Sequence, residues 1–186
     1  RDLRMSRGLG DVYKRQSYDC TTLYVGAMGN GRFILGEDGR AVPFAGDDFL
    51  AVPPKTLCGT STDIGMIYTE IILKKENTIL NNIIKAGQPT ALKDLISYEE
   101  GSIANVDLVH ADNMKFVLMA FDAGTSLPPH RAPGNAILTA LEGKAIIDYE
   151  GQDYELNAGE SFRFDKNGLH SVTAQGKFKM SLLLVI

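Results

Sequence analysis

Apolar residues in the C-terminal half of this chain fall in short runs with a period of two. Phe162 and Phe164 share one side of their segment and Arg163 takes the other, the alternation of a strand buried on one face. Five such runs follow one another at 136–141, 145–149, 153–156, 161–164 and 178–185, each rich in β-branched or aromatic residues and set off by Gly-containing turns. Upstream, 102–110 and 115–121 read as a hairpin across Asp112-Asn113. Phe116, Phe121, Phe162, Phe164 and Phe178 sit at strand spacing and are expected in the core. One stretch breaks the pattern: Ile79, Leu80, Ile83 and Ile84 lie at helical spacing, which predicts a short helix over 77–85 ended by Gly87 and Pro89. Residues 90–96 read as a further helical turn or a loose segment. Short, evenly spaced strands point to a sandwich or barrel.

The chain also resembles itself at an offset of 112 to 113 residues. GRFIL at 31–35 matches GKAII at 143–147, AGDDF at 45–49 matches AGESF at 158–162, and TLCG at 56–59 matches GLHS at 168–171. MIYTEIIL at 66–73 falls on KMSLLLVI at 179–186, or one residue earlier, and Gly39 matches Gly151. Glycines, turns and strand-like runs recur in one order. This predicts one supersecondary unit present twice: a partial copy over 17–75, a helical linker over 76–97 and a complete copy over 98–186.

Residues 1–16, RDLRMSRGLGDVYKRQ, share none of this patterning. They lack the apolar centre of a secretory signal, and GDVYKRQ resembles translated sequencing-adapter sequence. They are expected to be a non-native segment, with native sequence missing before residue 17. The whole chain of 186 residues carries a net charge of −4; without the five basic and two acidic residues of this segment it would carry −7. No basic stripe is present, which argues against a nucleic-acid partner, and the apolar runs are too short to span a bilayer. With 44% hydrophobic and 23% charged residues the composition is that of a globular enzyme or binding module. Two cysteines are not a disulfide scaffold, and a reducing cytoplasm is the expected compartment.

Two blocks carry candidate chemistry: GTSLPPHRAPGNAILTALEG at 124–143 and GESFRFDKNGLH at 159–170. Together they resemble the two motifs of the cupin superfamily, with Gly124, His130 and Gly143 in register with the first and Gly159 and His170 with the second. The resemblance is best to small bacterial cupin-2-type proteins. It implies an all-β double-stranded β-helix, a jelly-roll barrel whose cavity holds a ligand, with one complete copy, a partial N-terminal copy and a short helix between them. It also implies a metal set of three His and one Glu. Here the second His position is Ala132, the Glu position is Ala136, and Asp165 occupies a turn that usually holds Pro. His130 and His170 remain, as ligand-binding or metal-ligating residues, or as polar remnants. Two imidazoles fall short of the three protein ligands a stable first-row metal site usually needs.

The other candidates are weaker. At the 112 offset Cys20 and Cys58 fall on Ala132 and His170, which admits a thiol site as well as two small buried hydrophobes. His110 is expected on the surface. Arg131 is expected in a rim salt bridge or binding an anion. Pro128-Pro129 should stiffen the entry to the first motif. Glu142, Glu160 and Asp47-Asp48 are read as turn charges. No phosphate loop, nucleophile elbow or Cys-x-x-Cys is present.

The expected function is a small-molecule-binding cupin barrel with an eroded metal site. The alternatives are a metal-dependent isomerase or dioxygenase using His130 and His170, with Zn, Mn, Fe or Ni as the ion, and a non-catalytic scaffold. The expected partners are a small-molecule ligand and a second copy in a homodimer, with no nucleic acid and no membrane.

Overall fold

The computed structural model describes residues 4–6, 15–73 and 78–186, and those residues form strands, turns and a single 3-10 turn at Leu92–Leu95. They group into two units. The first comprises the described parts of 1–76 with 82–91, and the second those of 77–81 with 92–186.

In the first unit β1 (Arg4–Ser6), β2 (Thr22–Leu35), β3 (Arg40–Ala45), β4 (Asp48–Val52), β5 (Cys58–Ser61) and β6 (Met66–Ile72) form one strongly bent sheet. The long β2 organises it. Its first half pairs with β4 and β6, and its second half pairs with β3 and β5. Phe33, Phe44, Tyr24, Tyr68, Leu50 and Met66 fill the interior. The expected non-native segment takes part in this unit at two points. Arg4–Ser6 pair with Met66–Tyr68 of β6, and Gln16 exchanges backbone bonds with Cys58 of 2.9 and 2.8 Å. The stretch 7–14 lies outside the described residues.

The helix expected over 77–85 does not form among the described residues, 78–85. Instead β7 (Ile79–Leu80) pairs with His110 and Val109, and the chain then turns toward β8 (Thr90–Ala91), which pairs with β4. Ile79 is 71% exposed and Ile83 37%, so no apolar helical face has a core to meet. A helix this short gains too little from its own hydrogen bonds, whereas pairing satisfies backbone groups along an open sheet edge. Among the described residues helical backbone is confined to Leu92–Leu95, inside the stretch read as a helical turn or a loose segment.

Every strand expected over 98–186 forms, and two more form that were not expected, over 126–131 and 169–174. The hairpin is β9 (Ile103–Ala111) and β10 (Met114–Phe121), turning at Asp112-Asn113 with Ala111 opposite Met114. Then come β11 (Ser126–Arg131), β12 (Asn135–Glu142), β13 (Lys144–Tyr149), β14 (Gln152–Asn157), β15 (Ser161–Phe164), β16 (Leu169–Ala174) and β17 (Phe178–Val185). They make a six-stranded sheet, β15-β12-β17-β10-β9-β7, and a four-stranded sheet, β11-β16-β13-β14. Alternate residues of both sheets meet in one core: Ala136, Leu138 and Ala140 of β12, Ala145 and Ile147 of β13, Phe164, Val172, Phe178 and Met180. The chain passes between the two sheets at several connections, and the tightest is the single residue Gly143, through which β12 leads into β13.

The two units share a pairing pattern down to details. As β2 pairs with β4 and β6 and then with β3 and β5, so β12 pairs with β15 and β17 and β13 with β14 and β16. Gly29 and Gly143 turn corresponding corners at φ of 75° and 74°, each packed on a carbonyl where a Cβ would lie 2.2 Å from Gly65 O and 2.1 Å from Lys177 O. The next turns are closed alike, by Ala45 N–H donating to the Asp48 carboxylate and Asn157 N–H to the Glu160 carboxylate, both at 2.8 Å. Leu35 opposite Cys58, beside the bond from Gly36 N–H to Leu57 O, answers to Tyr149 opposite His170, beside the bond from Glu150 N–H to Leu169 O.

The corner is the position least able to accept a side chain. Gly143→Ala forces a left-handed backbone on a β-carbon and drives it into the Lys177 carbonyl, so we expect stability to fall by about 1–3 kcal/mol. A lowered urea midpoint at unchanged m checks this.

Candidate functional site: a cross-strand pair of imidazoles

The two histidines that the motifs single out lie directly opposite each other, His130 on β11 and His170 on β16. The sequence builds this locally. Pro128 and Pro129 cannot donate to a ladder and are tolerated because β11 is an edge strand; the register shifts across them, between Leu127 and His130. That irregularity delivers His130 to its place opposite His170, with ring centroids 4.3 Å apart and the planes inclined by 53°. His170 is buried and His130 is exposed, so the pair reaches from the barrel wall to solvent.

Both rings are held in the same way. His130 Nδ1 lies 2.9 Å from the Pro128 carbonyl and His170 Nδ1 lies 3.0 Å from the Gly168 carbonyl. A carbonyl only accepts, so in each neutral ring the proton sits on Nδ1 and the lone pair on Nε2. Phe164 stacks on His170 with centroids 4.0 Å apart and an angle of 23°. Phe162 and Tyr149 extend this aromatic wall, at 5.1 and 5.8 Å from Phe164. Burial lowers the pKa of His170 below its ordinary 6.5; the bond to the Gly168 carbonyl opposes this, and charge on His130 adds to it.

Sequence reasoning missed two residues that hold this pair. A Cβ on Gly168 would lie 2.6 Å from the Tyr149 ring, so the glycine lets that ring close on the turn that carries the Gly168 carbonyl. Tyr149 is the residue directly opposite His170 on β13. The available signal was the common spacing, a Pro or a Gly two residues before each His.

The two positions at which the resemblance would place further metal ligands are apolar in space. Ala132 and Ala136 are buried in the core cluster, and among the described residues no three His, Cys, Asp or Glu side chains come together. This donor set does not fit a resident divalent metal, which needs a third protein ligand. Arg131 pairs with Glu150 at 3.7 Å on the exposed rim and donates to Asn167 O. His110 is exposed and sits 3.5 Å from Asp107. Asp48 and Glu160 are turn caps, as described above. Glu142 differs from the solvated turn charge expected of it. It ends β12, accepts the Tyr98 hydroxyl at 2.8 Å and stands 4.0 Å from the buried Lys179, because the Tyr98 ring covers this corner.

In the first unit Cys58 occupies the ladder position that His170 holds in the second, and Gln16 bridges to Cys58 as His130 pairs with His170. Cys58 is buried, and burial pushes its thiol up to about 11, with the Tyr24 hydroxyl opposing and Glu70 adding to the rise. At neutral pH it is a protonated thiol in an aromatic core, not a nucleophile. Cys20 is half-buried.

Residues 117–186 match the family model for the cupin domain. That stretch of the second unit is a cupin domain. The match begins inside β10 and ends at the last residue, so it takes in both histidines. Among solved structures, a cupin 2 conserved barrel domain protein from Leptotrichia buccalis superimposes with a TM-score of 0.80 at 25% identity, covering 96% of this chain and 79% of that one. A cupin superfamily protein from Desulfitobacterium hafniense DCB-2 covers 58% of this chain and 98% of its own length, with a TM-score of 0.55 and 24% identity. A salicylate 1,2-dioxygenase from Pseudaminobacter salicylatoxidans covers 98% of this chain and 69% of its own length at 12% identity and a TM-score of 0.66, a likeness of fold alone. No curated protein matches this chain by sequence. Among its described residues no helix is long and apolar enough to cross a membrane.

Two outcomes follow from the electrostatics. His170 should titrate below 6.5 by NMR. Its pKa is lower folded than unfolded, so as pH falls the unfolded chain takes up the proton first, and this group's share of stability is lost below about pH 6.5. We expect lower stability near about pH 5 than near about pH 8, and a smaller difference in His170→Gln. Cys58 should resist iodoacetamide in the native protein and react once urea unfolds it, as mass spectrometry of alkylated peptides will report.

Proposed function

We propose that this protein binds a small molecule at the His130–His170 pair of its second barrel, in a site that has lost its metal set. The observation that carries this reading is the pair itself, with both Nδ1–H groups spent on carbonyls and both Nε2 lone pairs left for a ligand. The replacement of the other two ligand positions by buried Ala132 and Ala136 supports loss of the metal rather than a rearranged site. On the same reading the chain is two copies of one barrel unit, the first incomplete. The shared corners, turn caps and ladder positions support this. We extend the proposal to a homodimer in a reducing compartment.

A second reading keeps a metal-dependent isomerase or dioxygenase. The Nε2 lone pairs favour it, since with Nδ1 bonded to a carbonyl that is the nitrogen each imidazole would offer to Zn, Mn, Fe or Ni. With neutral imidazoles and no carboxylate, such an ion would be weakly held.

Protein purified without chelator should carry substoichiometric transition metal by mass spectrometry. Added Zn or Mn should bind with micromolar or poorer affinity. His130→Ala and His170→Ala should abolish binding of any cavity ligand while leaving the fold intact by circular dichroism. One equivalent of a transition metal, removed by either substitution, would put the metalloenzyme first.

A further inference from the structure

The hydrogen bonds at the pair select a class of ligand, and this inference rests on the binding reading above. Each imidazole has its only N–H committed to the carbonyl two residues before it, at 2.9 and 3.0 Å. What the pair offers a visitor is therefore two acceptors from neighbouring rings and no donor. An acceptor-rich ligand such as a carboxylate or phosphate would meet lone pair against lone pair. On the adjoining turns Arg131 answers Glu150 at 3.7 Å and Arg163 answers Asp165 at 2.6 Å, while the exposed Lys166 adds one cation at the rim, outside the contacts of either imidazole. The flanking surface is apolar or aromatic. Phe164 covers a face of His170, and methyl groups stand at Ala132 and Ala136 where the family places its other two polar ligands.

We propose that the ligand is uncharged and presents two adjacent hydroxyl donors, one to each Nε2, on an otherwise apolar frame. A dihydroxy-aromatic ring and an aliphatic vicinal diol share this chemistry. Both bring donors where the site has only acceptors. A buried acceptor left unmatched costs more than a matched one gains, so the buried His170 should discriminate against ligands lacking an O–H group.

The test uses the full chain labelled with 15N-histidine, in EDTA and without oxygen, near about pH 8, above the ordinary imidazole range. Long-range 1H–15N spectra should show both rings protonated at Nδ1. Catechol and cis-1,2-cyclohexanediol, titrated separately, decide between the two sources; a saturable shift of both Nε2 resonances by either supports the proposal. The dimethyl ether of catechol should bind at least about tenfold more weakly, the loss of roughly one good hydrogen bond. His130→Ala and His170→Ala should each weaken the diol to a similar degree. If benzoate shifts the same resonances at lower concentration than either diol, or the dimethyl ether matches catechol, the ligand class is wrong while the binding site stands. If neither ring responds to any of these probes, the binding reading falls and this inference with it.

Discussion

The second unit depends on one corner. A single run of chain must leave the six-stranded sheet as β12 and enter the four-stranded sheet as β13. It does so at Gly143, with left-handed backbone packed against the Lys177 carbonyl. A side chain there would hold the two strands apart. With hydrogen in its place, β12 anchors β15 and β17 on one sheet and β13 anchors β14 and β16 on the other. The enclosed core of small and large apolar residues follows from that division, as Ala136, Ala140 and Ala145 interleave with Leu138, Phe164 and Phe178.

The histidine pair is a second consequence. β16 is placed by β13, and β11 is placed by β16, so His130 reaches His170 only after the sheet has rolled. Once there, local chemistry takes over. Two carbonyls two residues back set the tautomers, Gly168 makes room for Tyr149, and Phe164 fixes the plane of the buried ring. The result is a site with direction but little charge. On the proposed reading it suits recognition by hydrogen bonding better than retention of a divalent ion, which two neutral imidazoles without a carboxylate would hold weakly.

The first unit shows the same scaffold with different chemistry at the corresponding place. Cys58 and Gln16 stand where the imidazoles stand in the second unit, and the interior around them is aromatic, with Tyr24 4.6 Å from Phe33 and Phe33 4.8 Å from Phe44. Packing has taken the volume that a polar site would use. One ladder position can thus serve a core or a site, depending on which side chains meet there.

Period-two patterning and turn residues were enough to place β15 and β17 at their observed limits and β12 to β14 within one residue at each end, because a strand buried on one face writes its alternation into the sequence. The Gly and His spacings were enough to bring out His130 and His170. The same reasoning put a helix at 77–85, where Ile79 and Leu80 instead pair with β9, since periodicity in so short a segment carries no information about an open sheet edge elsewhere. It read Glu142 as a solvated turn charge, though Tyr98, remote in sequence, bonds to it. It had no view of Tyr149 and Gly168, whose meaning lies in contact across strands. Sequence by itself determined most strands of the second unit, the turn at Gly143 and which two histidines the motifs single out, all of which are local, but it did not mark β11 and β16, the strands that carry those histidines. Which nitrogen each imidazole presents, and what stands beside it, was decided only when register brought β11, β13 and β16 together.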